Sequence, residues 1–282
     1  MKVRRPVQAG SFYSAGKASL LQQMEGCFLH QFGPGKLPKL QENAERRIVS
    51  AISPHAGYMY SGPVAAHLYL ALALDGLPDT IVILGPNHYG VGTGVSAMVE
   101  GVWQTPLGEV EIDSMMAKQI CKNSGIIDID DSAHISEHSI EVQLPFLQYV
   151  YGNSFKFIPI SMMMQDQETS RNIGEAIAGS VSGRNVLIVA SSDMSHYEPQ
   201  KEAERKDKAA ISAILKLDEK ELQRVVEEEN ISMCGYGPAS SAIVAGKALG
   251  ATTAKVLSYQ TSGDVTGDYG QVVGYLSATI SK

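Results

Sequence analysis

Five side chains able to bind a metal or move a proton occur in four short motifs of this sequence. His55 stands in Ser-Pro-His-Ala-Gly-Tyr, and His88 stands in Gly-Pro-Asn-His. Asp193 and His196 share Ser-Ser-Asp-Met-Ser-His, and Cys234 stands in Met-Cys-Gly-Tyr-Gly-Pro. Neutral imidazole is the commonest metal ligand, and thiolates bind soft and borderline metals. These residue types indicate a metal site with an acid–base group beside it.

The two histidine motifs share one local design, in which proline and glycine restrict the chain around the imidazole. Pro54 fixes its own φ angle before His55, and Gly57 allows a sharp turn after it. His88 follows a second Gly-Pro pair. A hydrogen-bonded histidine that braces a turn remains the alternative at each position. Two such histidines together favour a shared metal site.

Asp193 and His196 are three positions apart. If a helical turn begins at Ser195, the two side chains share a face, and the carboxylate orients the imidazole and raises its basicity. That pairing suits a general base. A capping aspartate beside a surface histidine is the alternative.

Cys234 precedes a predicted helix that has Pro238 in its first position. Backbone amides at that helix start would lower the pKa of the thiol and favour a ligand, whereas a buried apolar role is the alternative. His138 opens another predicted helix and is expected to contact substrate or support the ligands. Asp264, in a glycine-punctuated loop, lines the rim of the site or shapes a turn.

The elements that precede these motifs would bring them together. Apolar, β-branched runs at 48–52, 81–84 and 186–190 directly precede the first three motifs. Such runs are typical of buried strands in a parallel sheet. The carboxyl ends of these strands gather around one crevice, where ligands bind. We therefore expect side chains far apart in sequence to meet there.

Strands and helices alternate over most of the chain, which favours an α/β fold. Its predicted form is a single domain, spanning 1–282, with a mixed, largely parallel sheet flanked by helices. The one linker-like loop, at 33–39, connects the first helix to the first core strand. Further strands are predicted at 95–99, 157–160, 255–259 and 272–279, and helices at 17–31, 62–74, 113–123, 136–150, 167–180, 200–216, 218–229 and 238–249.

Composition and the absence of certain motifs argue against several classes of function. A net charge of −7 argues against nonspecific nucleic-acid binding. The N-terminus lacks the apolar segment of an export signal, and no run approaches the roughly 20 apolar residues that span a bilayer. Three cysteines without paired spacing predict no disulfides and a cytoplasmic location, with Cys27 and Cys121 buried. Serine-elbow, P-loop and dinucleotide motifs do not occur.

The order of the motifs along the chain resembles that of the Memo family, in its prokaryotic or archaeal branch. The resemblance begins in Arg-Pro-Val-Gln-Ala-Gly-Ser-Phe-Tyr at 5–13 and continues through the four motifs above and Glu-His-Ser-Ile-Glu at 137–141. It ends in Gly-Asp-Val-Thr-Gly-Asp-Tyr-Gly at 263–270. This family is related to the LigB-type class III extradiol dioxygenases, so the resemblance implies a single α/β domain.

The resemblance also implies roles for individual residues. The related dioxygenases hold Fe(II) with two histidines and a carboxylate, and His55 and His88 match those histidines. Cys234 matches the third position, where a softer thiolate favours copper or zinc. His196 matches the catalytic base, with Asp193 beside it. Further residues of the same motifs are candidates for substrate contact or for supporting the ligands: His138, Tyr58, Asn87, Tyr236 and Asp264.

Three functional hypotheses follow from these residues. The first is a metal-dependent oxidoreductase, with Fe(II) or copper, that acts on an unidentified small molecule. The second is a binding module that recognises a peptide or a small anion in the same crevice without catalysis. The third is a zinc-assisted hydrolase, in which bound water is activated near neutral pH.

Overall fold

The structure, a computed structural model, describes residues 2–282. Its strands are β1 (Val3–Arg4), β2 (Ile48–Ser53), β3 (Thr80–Pro86), β4 (Val95–Ala97), β5 (Val102–Thr105), β6 (Gly108–Glu111), β7 (Asp128–Ile129), β8 (Lys156–Met162), β9 (Val186–Ser191), β10 (His196–Glu198), β11 (Thr253–Thr261) and β12 (Val272–Ser281). Its helices are α1 (Lys17–Leu29), α2 (Tyr58–Asp75), α3 (Ser114–Ser124), α4 (Gln143–Tyr151), α5 (Gln167–Val181), α6 (Gln200–Leu215), α7 (Glu219–Glu228), α8 (Tyr236–Ala248) and α9 (Ser262–Thr266).

A mixed nine-stranded sheet forms the centre of the protein. Its order is β10-β12-β2-β9-β3-β8-β4-β7, and β11 pairs with β12. The middle four strands, β2, β9, β3 and β8, are parallel, while β4 and β12 pair with them in the antiparallel sense. Helix α8 packs on β2, β3 and β9, and α2 packs on β2 and β12. The predicted α/β fold with a mixed sheet flanked by helices is confirmed.

The parallel strands carry the functional motifs because they are buried on both faces. Every residue of β3 and β9 is buried, and so is all of β2 after Ile48. Continuous apolar strands of this kind require helices on both sides. Their carboxyl ends release His55, His88 and Asp193 at one edge of the sheet, as predicted.

Two local predictions of helix, before Gln143 and at Ser195, were wrong. The helix expected at 136–150 begins only at Gln143. Before it, the Glu137 side chain accepts hydrogen bonds from the amides of His138 and Ser139, which holds this stretch as a loop. No helical turn begins at Ser195, which was the condition for Asp193 and His196 to share a helix face; His196–Glu198 instead form the short strand β10, paired with β12.

The predicted start of a helix at Pro238 was also wrong. Helix α8 begins at Tyr236, so Pro238 is its third residue and not its first.

Cys27 and Cys121 are buried, as expected for cysteines that pack as small apolar groups. Among residues 2–282, no helix is long and apolar enough to cross a membrane.

Candidate metal centre

A cavity of about 580 Å³ opens at the edge of the sheet where the parallel strands end. Five residues predicted from the sequence line it together: His55, His88, His138, Asp193 and His196. Aromatic side chains complete the wall, contributed by Phe12, Tyr60, Tyr89, Tyr197 and Tyr275. The sheet therefore brings together residues separated by more than 140 positions.

Three imidazoles form a compact group in this cavity. The ring centroids are 5.2 Å apart for His55 and His88, 4.5 Å for His88 and His138, and 5.4 Å for His55 and His138. One nitrogen from each ring lies within 4.8 Å of the other two. Nitrogens bound at about 2.1 Å to one ion lie roughly 3–4 Å apart, so small side-chain rotations suffice to share an ion.

Glu137 joins two of these histidines from behind. Its buried carboxylate accepts hydrogen bonds from the His88 amide at 2.7 Å and from His88 Nδ1 at 2.9 Å. It also accepts from the amides of His138 and Ser139, at 2.9 and 2.8 Å. Because a carboxylate only accepts, His88 carries its proton on Nδ1 and presents Nε2 as a ligand atom.

The donors around Glu137 also set its ionisation. Burial raises the pKa of this carboxyl, but the hydrogen bond from His88 and the nearby charges of His88 and His138 outweigh it and lower the pKa to about 2. The Glu137 carboxylate is therefore ionised at neutral pH. Sequence reasoning missed this residue, although it is the first glutamate of the Glu-His-Ser-Ile-Glu motif.

His55 is buried at the floor of the cavity. Its amide donates to Asp193 Oδ1 at 2.8 Å, and its Nδ1 lies 2.9 Å from Ser191 Oγ. Burial lowers the pKa of His55 well below its ordinary value, and the neighbouring histidines add to the effect. Burial likewise lowers the pKa of His138 to about 4. Both rings are neutral at pH 7, the state that binds metal.

Cys234 approaches this group from the loop before α8. Its Sγ lies 3.3 Å from His55 Nε2 and accepts a hydrogen bond from the Asp193 amide at 3.2 Å. It is not part of the compact group of three imidazoles. The thiol thus contacts one of the two predicted histidine ligands directly.

The expected lowering of the thiol pKa is wrong. Burial, reinforced by the Asp193 carboxylate, raises the pKa of Cys234 well above its ordinary value. The amides at the start of α8 bind other acceptors: Gly235 N donates to Ser192 Oγ and Gly237 N donates to Gln165 Oε1, each at 2.9 Å. They do not point at the sulfur. A bound cation would supply the charge that deprotonates a coordinating thiol.

His196 stands at the cavity wall with a fixed orientation. Its Nδ1 donates to the Ser232 carbonyl at 2.8 Å, and its amide donates to Ser232 Oγ at 2.7 Å. Because a carbonyl only accepts, Nε2 carries the lone pair. Ser232, not the expected Asp193, therefore orients this ring. Asp193 is 4% exposed, and burial raises the pKa of its carboxyl.

The remaining candidates do not line the cavity. Tyr58 donates to the Val142 carbonyl, and Asn87 accepts from the Tyr89 and Gly90 amides. Tyr236 faces a separate surface cavity beside Asp166. Asp264 completes a capping box with Thr261. Asn87 shapes the loop that carries His88. The others hold neighbouring elements in place.

The fold and the cavity define an α/β protein with a histidine-lined candidate metal centre. The structure is similar to that of an uncharacterised protein from Escherichia coli K12, with a TM-score of 0.55 and 13% sequence identity. The match covers 83% of this chain and 100% of the other. At that identity the likeness concerns the fold alone.

The family is established by sequence. The family described as Memo-like protein matches residues 4–279, and the chain belongs to it. A MEMO1 family protein of Methanopyrus kandleri is 51% identical over 281 residues, with 99% of each chain covered. One from Methanothermobacter thermautotrophicus is 50% identical over 275 residues, covering 97% of this chain and 98% of the relative. These relatives are archaeal, which agrees with the predicted branch.

Proposed function

We propose that this protein is a metal-dependent oxidoreductase whose ion is held by His55, His88 and Cys234. The observation that carries the proposal is the convergence of three imidazoles in one cavity, with Glu137 behind His88. Carboxylate–histidine pairs of this kind orient metal ligands and raise their basicity. The proposed substrate is a small molecule, since the cavity of about 580 Å³ falls within the range of small-molecule sites.

The donor set fits a borderline or soft ion. Two imidazoles and a thiolate suit Fe(II), copper or zinc. Of these ions, Fe(II) and copper would supply redox chemistry at an open coordination position. His138 is a further nitrogen donor within reach of His55 and His88. It would replace Cys234 as third ligand for an ion that prefers nitrogen.

The other side chains of the cavity would handle protons and substrate. His196 holds a lone pair on Nε2 and is placed to accept a proton from a substrate hydroxyl. The Ser232 carbonyl holds the other ring proton on Nδ1, both before and after Nε2 accepts one. Tyr60, Tyr89 and Tyr197 are exposed at the mouth, where flat apolar surfaces favour an aromatic ligand.

The aromatic mouth also supports the second hypothesis, a binding module without catalysis. Within residues 2–282, no lysine or arginine lines the cavity. A peptide would bind there through apolar contacts, whereas a small anion would lack a counter-charge in the absence of metal. Binding of a peptide that survives both metal chelation and His55→Ala would favour this function over the enzyme.

Metal analysis of anaerobically purified protein tests the proposal. We expect the wild type to bind one equivalent of iron or copper, and Cys234→Ser to bind less without loss of folding. Cys121→Ser, at a buried cysteine of α3 that does not line the cavity, is the matched control and should retain full metal content. Equal content in all three proteins would show that the Cys234 thiol is not a ligand.

Activity is then tested by oxygen uptake with a panel of catechols in iron-loaded protein. Uptake that depends on His196 would support the oxidoreductase. No metal in the wild type together with no uptake would refute it. Turnover with zinc that is independent of oxygen would point instead to hydrolysis.

A further inference from the structure

We infer that Ser191 is a positioning residue that fixes the proton of His55 on Nδ1 and so keeps Nε2 free for an ion. The tautomer follows from the hydrogen-bond partners alone. Only its consequence for metal affinity rests on the proposed function. The serine, the last residue of β9, is fully buried against Gln143 at the start of α4.

The orientation of the Gln143 amide is the first step. This side chain is 1% exposed, and one end of its amide lies 2.9 Å from the Pro54 carbonyl. A carbonyl only accepts hydrogen bonds, so the NH₂ end must face Pro54. The same NH₂ group lies 2.7 Å from Ser191 Oγ and donates its second hydrogen there. The oxygen end accepts from the Tyr69 hydroxyl at 2.5 Å.

The single hydrogen of the Ser191 hydroxyl is the second step. Ser191 Oγ lies 2.6 Å from the Ser139 carbonyl, again a group that only accepts. The hydroxyl therefore donates to Ser139. The only arrangement that satisfies all contacts of Ser191 Oγ is one in which it accepts from both Gln143 and His55. His55 must then carry its proton on Nδ1.

The opposite side of the ring favours the other tautomer. His55 Nε2 faces the Cys234 sulfur at 3.3 Å and Asp193 Oδ2 at 3.9 Å. The Cys234 thiol donates to the Asp193 carbonyl at 3.6 Å, which leaves its sulfur to accept, so the sulfur and the Asp193 carboxylate would both stabilise a proton on Nε2. A protonated Nε2 cannot bind a metal. Ser191 therefore decides between two competing positions of one proton. Without its hydroxyl, the proton would move to Nε2.

Nitrogen-15 spectra of metal-free protein with labelled histidines test this assignment at pH 7. In the wild type we expect His55 to be protonated on Nδ1 and unprotonated on Nε2. In Ser191→Ala we expect the pattern to reverse. Ser50→Ala is the matched control, because Ser50 is buried on the neighbouring strand β2 and its hydroxyl donates to the Ala242 carbonyl. Its spectrum should match the wild type.

Metal titration of the same proteins provides the second readout. Loss of a hydrogen-bond partner behind a ligand typically weakens metal binding about 10–100-fold, which we expect for Ser191→Ala. Ser50→Ala should bind within about twofold of the wild type, well under that range.

Three results test the inference about Ser191 and separate it from the proposed metal centre. A wild-type His55 protonated on Nε2, or an unchanged tautomer in Ser191→Ala, would overturn the inference. The wild-type spectrum alone does so even if the variant fails to fold. The expected tautomers without any metal affinity would uphold the inference about Ser191 and refute the proposed metal centre.

Discussion

Replacing Glu137 by glutamine should destabilise the metal-free protein by an amount that depends on pH. The carboxylate accepts four hydrogen bonds in the loop that carries His138 and in the loop that carries His88. The amide of Glu137→Gln retains one oxygen acceptor, so its NH₂ group must face a buried donor. Each buried donor left without its acceptor costs about 1–3 kcal/mol.

The pKa of Glu137 gives an independent magnitude. Burial raises it, but the hydrogen bonds from His88 and the charges of His88 and His138 lower it from 4.5 to about 2 in the folded protein. A difference of about 2.5 in pKa corresponds to about 3 kcal/mol of stability. Because the folded-state pKa is the lower one, this stability is present above about pH 4.5 and is lost as the pH falls toward 2. The glutamine of Glu137→Gln does not titrate, so the stability of this variant lacks that pH-dependent contribution.

Urea unfolding of wild type and Glu137→Gln, both metal-free, measures this effect. The free energies of unfolding should differ by about 3 kcal/mol at pH 7, and the gap should narrow below about pH 4.5. Glu100→Gln, at an exposed position, is the control and should change stability by less than about 0.5 kcal/mol. A gap that stays constant down to pH 3 would refute the assignment of a low pKa to Glu137.

Three further changes test other parts of the fold. Burial lowers the pKa of His134 to about 4 and also lowers the pKa values of His55 and His138, so all three rings contribute to a loss of stability as the pH falls from about 6.5 to 4. His134→Leu removes one of these contributions, so pH-dependent urea unfolding should show a loss that is smaller than in the wild type by up to about 3 kcal/mol. Gly274→Ala places a methyl group against the buried Asp207 carboxylate and should cost about 1–3 kcal/mol in the same assay. Arg4→Met removes the buried partner of Glu141 and should lower the free energy of unfolding by about 3–5 kcal/mol, whereas an effect below 1 kcal/mol would show that the pair is dispensable.

The strands and the meeting of His55 with His88 followed from the sequence because both depend on local patterns. Continuous apolar runs identify buried parallel strands, and the residue after such a strand lies at a shared edge. The same logic placed Asp193 at that edge. His138 was expected beside the site, and it lies within it.

The supporting residues were not predictable in this way. Ser191, Ser232 and Glu137 act through contacts with residues at least 36 positions away or through loop geometry. The helix expected at 136–150 failed over its first half because Glu137 binds backbone amides there, a tertiary effect that overrides periodicity. The pKa of Cys234 was misjudged for a related reason, since the amides of α8 are bound by Ser192 and a glutamine.

The most direct test is a crystal structure of the metal-loaded protein with anomalous diffraction. The proposed centre predicts one anomalous peak at about 2.0–2.1 Å from Nε2 of both His55 and His88 and about 2.3 Å from Cys234 Sγ. A peak bound by neither histidine, or no peak after loading with iron, copper and zinc in turn, would contradict it.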